Sequence, residues 1–166
     1  IFHLAGINRP KSAEEFAAGN AVLTESLCSA IKAGERLIPV VFTSSIQAVL
    51  DNDYGKSKRA AEEALSALHK ATGNPIFIYR LPNVFGKLAR PNYNSAVATF
   101  CHNIACGLPT QINDPSATIP LVYIDDVVEN FKKILVETNN KQDDFVEVFP
   151  QYSITVSELV DQLYRF

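Results

Sequence analysis

Three apolar runs, each leading into a loop of small or polar residues, alternate along the chain with stretches of helical periodicity. No other feature limits the fold as tightly. The runs are "IFHLAG", "RLIPVVFTSS" and "IFIYRLPNVFG". Apolar runs rich in β-branched residues and lacking strict in–out alternation belong to strands covered on both faces, the condition of a parallel sheet. Parallel strands need long crossovers, and the helical stretches between these runs have the length of such connections. The spacing predicts a strand over 1–5, then a helix opened by a Ser12/Glu15 capping box and running to about Lys32. It predicts a strand over 37–43, a helix over 54–71 stopped by Gly73-Asn74-Pro75, and a strand over 76–79. A Pro/Asn/Gly-rich segment over 81–94 precedes a helix over 95–106, with short extended pieces near 110–113 and 119–123. Asp126 with Glu129 is expected to cap a helix reaching about residue 137, followed by a strand over 145–149 and a last helix capped by Thr155 and Glu158.

In an open parallel sheet, ligands bind beyond the carboxyl ends of the strands. Three polar segments fall there: "AGINRP", "TSSIQA" and "RLPNVFG". A chain of 166 residues, 47% hydrophobic and 20% charged, suits one domain with a real core. A net charge of −3 argues against a nucleic-acid binder, which needs clustered Lys and Arg. No apolar run is long enough to span a membrane, and a cytoplasmic location is expected. Cys28, Cys101 and Cys106 have no metal-ligand spacing and read as reduced, packed thiols. The chain contains no methionine and opens inside a strand, so an upstream part is expected to be missing.

The second polar segment leads into "DNDYGKSK", where Tyr54 precedes Lys58 by four positions at the start of a predicted helix. Residues so spaced share a helix face. A phenol titrates near pH 10 and is a poor proton shuttle at neutrality, whereas a neighbouring ammonium favours the phenolate and is expected to lower that value. Carbonyl reduction has use for such a pair, because hydride arrives on carbon while a proton must reach oxygen. A hydroxyl to hold that oxygen is available in "TSS" at 43–45. Chance alone would supply a Tyr-x-x-x-Lys about 0.3 times in a chain of this composition, so the position after a strand rich in hydroxyls carries the weight.

With "HLAG", "SS", "YGKSK", "RLPNVFG" and "YIDDVV", the chain resembles the extended short-chain dehydrogenase/reductase superfamily acting on nucleotide sugars. "HLAGINRP", "SSIQA", "YRLPNVFGK", "RPNYNSAVATFCHNIA" and "VSELVDQLYRF" narrow the likeness to the reductases of capsular polysaccharide biosynthesis. This resemblance implies an α/β fold, an incomplete Rossmann-like doubly wound parallel sheet with a small substrate-binding lobe. It implies that residues 1–166 form a single domain, the carboxyl-terminal two-thirds of a reductase domain. The first strands and the Gly-rich turn would be missing, as would the zinc cupin that such bifunctional enzymes carry. The implied activity is NADPH-dependent reduction at C4 of a UDP-linked 4-keto-6-deoxy-N-acetylhexosamine on the route to UDP-N-acetyl-L-fucosamine, with NAD(H) also open.

By the same resemblance, Tyr54 would give the proton, and Lys58 would lower its pKa and hold the nicotinamide ribose. Ser45 would bind the substrate carbonyl, with Ser44 as the second candidate. Leu4, Ala5, Gly6, Ser44, Pro82, Asn83 and Val84 would lie along the cofactor. Asn83, Arg90 and Asn94 would touch the sugar nucleotide. A homodimer is expected, and no metal site. An epimerase or dehydratase of the same superfamily is the competing enzyme, and an inactive fragment with a binding or assembly role is the competing non-enzyme.

Other residues read more plainly. Asp125 and Asp126 suit helix capping better than metal binding. His3, inside an apolar strand, reads as a satisfied core histidine, and His69, late in a helix, as a group near the negative end of the dipole. The acidic run at 142–144 reads as a solvated turn.

Overall fold

The computed structural model describes residues 1–136 and 145–166. The expected helix end near 137 and the acidic turn at 142–144 lie outside the described residues. The chain divides into two compact units, the first formed by Ile1–Leu81 with 145–147 and the second by Pro82–Val136 with Val148–Phe166.

In the first unit, strands β1 (Phe2–His3), β2 (Val40–Ser45) and β3 (Ile76–Leu81) pair in parallel in that order. The first crossover holds α1 (Ala13–Phe16), a π-helical turn (Ala17–Val22) and α2 (Leu23–Ala33). The second holds a 3₁₀ turn (Ile46–Val49) and α3 (Asp53–Thr72). Ala61, Leu65 and Leu68 lie along one face of α3 and pack with Ile31 of α2 on Val40, Phe42, Ile76 and Ile78 of the sheet. Full burial of each large aliphatic side chain stabilises the fold by about 1.5–3 kcal/mol, so this layer fixes α3 against the sheet.

Local signals open and close α3. The Asn52 side chain accepts the Gly55 N–H at 2.7 Å, and His69 Nδ1 meets the Asn74 carbonyl at 2.8 Å where the helix ends before Gly73. The Ser12/Glu15 capping box is not formed. The Glu15 carboxylate accepts the Lys11 N–H at 2.8 Å, one residue too early for the reciprocal pair, and the Ser12 hydroxyl turns to Glu14, whose pKa it lowers. The strand expected over 145–149 is reduced to a parallel bridge between Phe145 and Ile78. Pro150, which offers no N–H to a ladder, follows it closely.

In the second unit, β4 (Asn83–Phe85) pairs in parallel with β5 (Thr118–Tyr123), and β6 (Gln151–Thr155) runs antiparallel to β5. Its helices are α4 (Ala96–Ala105), α5 (Ile124–Val136) and α6 (Val156–Leu163). Phe100, Leu159 and Val160 form its core, with Val97, Ile112, Ile119 and Ile154 packed around them. The Thr155/Glu158 box forms in full. Helix α5 starts directly from β5, two residues before the expected cap, so Asp126 does not cap it. Asp125 and Asp126 sit in its first turn, where negative charge suits the dipole, and Asp125 pairs with Lys87 at 2.9 Å. The piece expected near 110–113 is not a strand, and Cys101 and Cys106 are exposed rather than packed, because α4 turns Phe100 to the core instead. Among the described residues no helix is long and apolar enough to cross a membrane.

Gly55 sits where α3 meets the 3₁₀ turn, and a Cβ there would lie 2.3 Å from the Gln47 carbonyl oxygen and 2.7 Å from that of Leu50. Alanine ordinarily favours a helix interior over glycine by about 0.5–1 kcal/mol. Here both obstacles are backbone, so Gly55→Ala is expected to destabilise by roughly 2 kcal/mol. Urea unfolding reads the effect; a raised midpoint would show that the turn gives way freely.

Candidate active site

The carboxyl ends of β1 and β2 and the first turns of α3 meet around one ammonium group. Lys58 is 6% exposed. Its Nζ donates to the Thr43 carbonyl at 3.0 Å and lies 5.0 Å from the centre of the Phe42 ring and 6.0 Å from that of Tyr54. Burial pulls its pKa down to about 8, partly opposed by the negative charge of Glu62. Tyr54 is half-buried, its ring 5.7 Å from that of Phe16. Burial pushes the phenol up, and a hydrogen bond with the Ser45 side chain draws it partly back. The net direction is therefore upward, opposite to the expected effect of the lysine. Desolvation of a phenol held against Phe16 outweighs the hydrogen bond from Ser45. Ser45, Tyr54 and Lys58 thus belong to one cluster.

The two serines at the end of β2 separate. Ser44 is buried and donates its hydroxyl to the Glu62 carboxylate, so that proton is not available to a substrate carbonyl. Ser45 remains, its oxygen also accepting the Gln47 N–H at 3.2 Å. Leu4, Ala5 and Gly6 are exposed just past β1. A Cβ on Gly6 would come within 3.1 Å of Lys58 Nζ and 2.7 Å of Asn20 Oδ1, so the backbone approaches the ammonium group only because that side chain is absent.

Pro82, Asn83, Val84, Arg90 and Asn94 belong to the second unit. There Pro82 is buried, Asn83 donates to the Pro120 carbonyl at 3.1 Å, and Arg90 stacks 5.7 Å from the Tyr93 ring. Val84 is half-buried in β4 and Asn94 is exposed.

Several polar residues of the site escaped the sequence reading. Asn20, buried in the π-helical turn, accepts the Ile7 N–H at 3.0 Å and donates to the Ile7 carbonyl at 2.9 Å and to Ser57 Oγ at 3.0 Å. It ties the loop after β1 to α3 one residue from Lys58. The Gly19–Asn20 pair inside a helical run was the available signal, since neither residue favours a helix interior. His3 is a satisfied core histidine, as expected: Nε2 lies 2.9 Å from Thr24 Oγ1 and the ring stacks on Phe42. Because Thr24 gives its own proton to the Asn20 carbonyl, His3 Nε2 must carry the proton it donates to Thr24.

The sequence pattern of the NAD dependent epimerase/dehydratase family matches residues 1–148. The chain belongs to that family. Over its whole length it is 58% identical to the UDP-2-acetamido-2,6-beta-L-arabino-hexul-4-ose reductase of Pseudomonas aeruginosa strain PA103, of which it covers 44%. The crystal structure of the capsular polysaccharide assembling protein CapF from Staphylococcus aureus superposes with a TM-score of 0.84 at 38% identity, over 99% of this chain and 44% of that one. The NAD complex of UDP-glucuronic acid 4-epimerase from Bacillus cereus superposes with a TM-score of 0.86 over 99% of this chain and 58% of that one. At 20% identity, that likeness shows the fold alone. The chain thus spans less than half the length of the reductase and of CapF. Parallel sheet, crossovers and family agree with the partial Rossmann-like fold expected from the sequence.

The donor set fits a dinucleotide of the family's kind. Of the three N–H donors of Lys58, one goes to Thr43 among the described residues, and the side-chain-free Gly6 leaves open backbone beside the others.

Lys58 is also expected to weaken the fold. Its pKa falls from 10.5 unfolded to about 8 folded, so the penalty is full below pH 8 and is relieved as pH rises toward 10.5. Lys58→Met should therefore raise stability at pH 7 by something on the order of 1–3 kcal/mol, with the gain shrinking toward pH 10. Urea midpoints across that range check it; a loss of stability at pH 7 would contradict the assignment.

Proposed function

We propose that the protein carrying this chain is an NADPH-dependent reductase that converts the C4 ketone of a UDP-linked 4-keto-6-deoxy-N-acetylhexosamine to an alcohol. The product would serve UDP-N-acetyl-L-fucosamine formation for capsular polysaccharide. The observation that carries this reading is the gathering of Ser45, Tyr54 and Lys58 at the carboxyl end of β2. The named relative at 58% identity supports the substrate class.

The nicotinamide, when bound, supplies the hydride. Tyr54 gives its proton to the ketone oxygen, and Ser45 holds that oxygen by a hydrogen bond. The direction of the phenol's shift suits this work, since burial keeps Tyr54 protonated at neutral pH, as a proton donor must be. Lys58 then faces the phenolate left behind and offsets its charge. With a pKa of about 8, most Lys58 side chains are ammonium ions at pH 7. Lys58 would also hold the nicotinamide ribose, with Leu4, Ala5, Gly6, Ser44, Pro82, Asn83 and Val84 along the cofactor. Asn83, Arg90 and Asn94 would contact the sugar nucleotide, and two copies would associate as a homodimer.

In the full-length protein, Tyr54→Phe is expected to lower kcat for keto-sugar reduction by roughly a thousandfold, within the range of general-acid effects, while leaving the Kd for NADPH within about twofold. Undiminished turnover removes Tyr54 from the chemistry. Lys58→Ala should weaken NADPH binding and lower kcat together; nicotinamide fluorescence titration checks the first effect, and an unchanged Kd rejects the ribose contact.

A further inference from the structure

Tyr54, Lys58 and Glu62 recur at intervals of four on α3 and so share one face of the helix. The first two have a role in the proposed reduction, and Glu62 has none. It is nevertheless 3% exposed and heavily engaged. Oε1 and Oε2 accept from Arg80 Nε at 3.0 Å and from an Arg80 terminal nitrogen at 2.6 Å, a bidentate pair from β3. Glu62 also accepts a hydrogen bond from the hydroxyl of Ser44, which precedes Ser45 on β2. Arg80 in turn lies 4.2 Å from the centre of the Phe145 ring.

A buried ion pair contributes little net stability, because desolvation offsets the attraction. Its geometry, by contrast, is strongly directional. Three elements that frame the site, β2, β3 and α3, converge on this one carboxylate. We propose that Glu62, locked by Arg80, is a positioning residue of the Ser45/Tyr54/Lys58 site: it pins the end of β2 through Ser44 and places a fixed negative charge one helical turn from Lys58. This role deepens the reductase reading and rests on it.

Among the described residues of this unit, the charged and titratable groups facing Lys58 are Tyr54 and Glu62 on α3 and His3 on β1, with Arg80 of β3 behind Glu62. His3 is held neutral by burial and by Lys58 itself. The π-helical turn and β2 add only the neutral Asn20, Phe42 and the Thr43 carbonyl. Glu62 is therefore the negative charge that favours the ammonium form of Lys58.

The test uses the full-length protein with Glu62→Gln, and with Glu62→Gln combined with Arg80→Gln, which removes the stranded guanidinium if the single variant folds poorly. Two profiles are recorded: amine acylation at Lys58 against pH, read by mass spectrometry, and kcat/KM for NADPH-driven ketone reduction against pH. Loss of the negative charge should move the Lys58 midpoint down by about 0.5–1 pH unit in both variants, with the alkaline limb of kcat/KM following. A lowered Tm with both profiles unmoved overturns the proposal and leaves Glu62 a structural residue. If the wild type reduces no keto sugar and yet the Lys58 midpoint shifts, the reductase reading falls while the hold of Glu62 on Lys58 stands.

Discussion

The ammonium group of Lys58, drawn out of water onto the Thr43 carbonyl, is the point on which the polar groups of the first unit converge. Withdrawing a cation from solvent is unfavourable, and burial accordingly pulls its pKa down to about 8. Its neighbours are arranged to offset that. A carbonyl at the end of β2 accepts from it, the Phe42 and Tyr54 rings present their electron-rich faces, and Glu62 lies one turn further along α3. No one segment supplies them all: Phe42 and Thr43 come from β2, Tyr54 and Glu62 from α3. The position exists because β2 ends beside the first turns of α3, and the Ala61–Leu65–Leu68 stripe packed on the sheet fixes that relation.

The parallel sheet explains why the polar groups of this unit gather at one end. All three strands run the same way, so the loop after β1 and the 3₁₀ turn after β2 leave from a common edge. Asn20 then joins the first of these loops to α3 through Ile7 and Ser57. A π-helical turn, costly as helix geometry, is what brings the asparagine to that place.

The elements that could be read from the sequence were those with a strong apolar period or a local stop. The helix expected over 54–71 is found as Asp53–Thr72, because its stripe and the Gly73-Asn74-Pro75 terminator act locally. Strand β6, mostly exposed and antiparallel, has no apolar run to betray it, since the pairing of Gln151–Thr155 with β5 is a long-range choice. The capping boxes show the same division. Thr155/Glu158 forms, whereas Asp126/Glu129 has the right spacing but falls inside a helix that β5 has already started. In the site, Tyr54, Lys58 and Ser45 stood out because reactive side chains at motif spacing are visible in one dimension. The Glu62–Arg80 pair was not, since its partners are 18 residues apart and meet only through strand order.

The adjacent serines show how strand geometry assigns chemistry. Side chains alternate across a strand with a period of two. Val40, Phe42 and Ser44 therefore share one face of β2, and the first two are in the core beneath α2 and α3. Ser44 must meet α3 as well, and a hydroxyl arriving there needs a buried acceptor, which Glu62 provides. Ser45, one position on, escapes that layer and stays beside the Tyr54 phenol at the open end of the strand. Two identical side chains thus receive opposite duties from a difference of one residue in register. A shift of β2 by a single position against β3 would exchange them, stranding the Glu62 carboxylate and turning Ser45 into the core. The full six-residue ladder between β2 and β3, with Ser44 opposite Arg80, holds the register that prevents this.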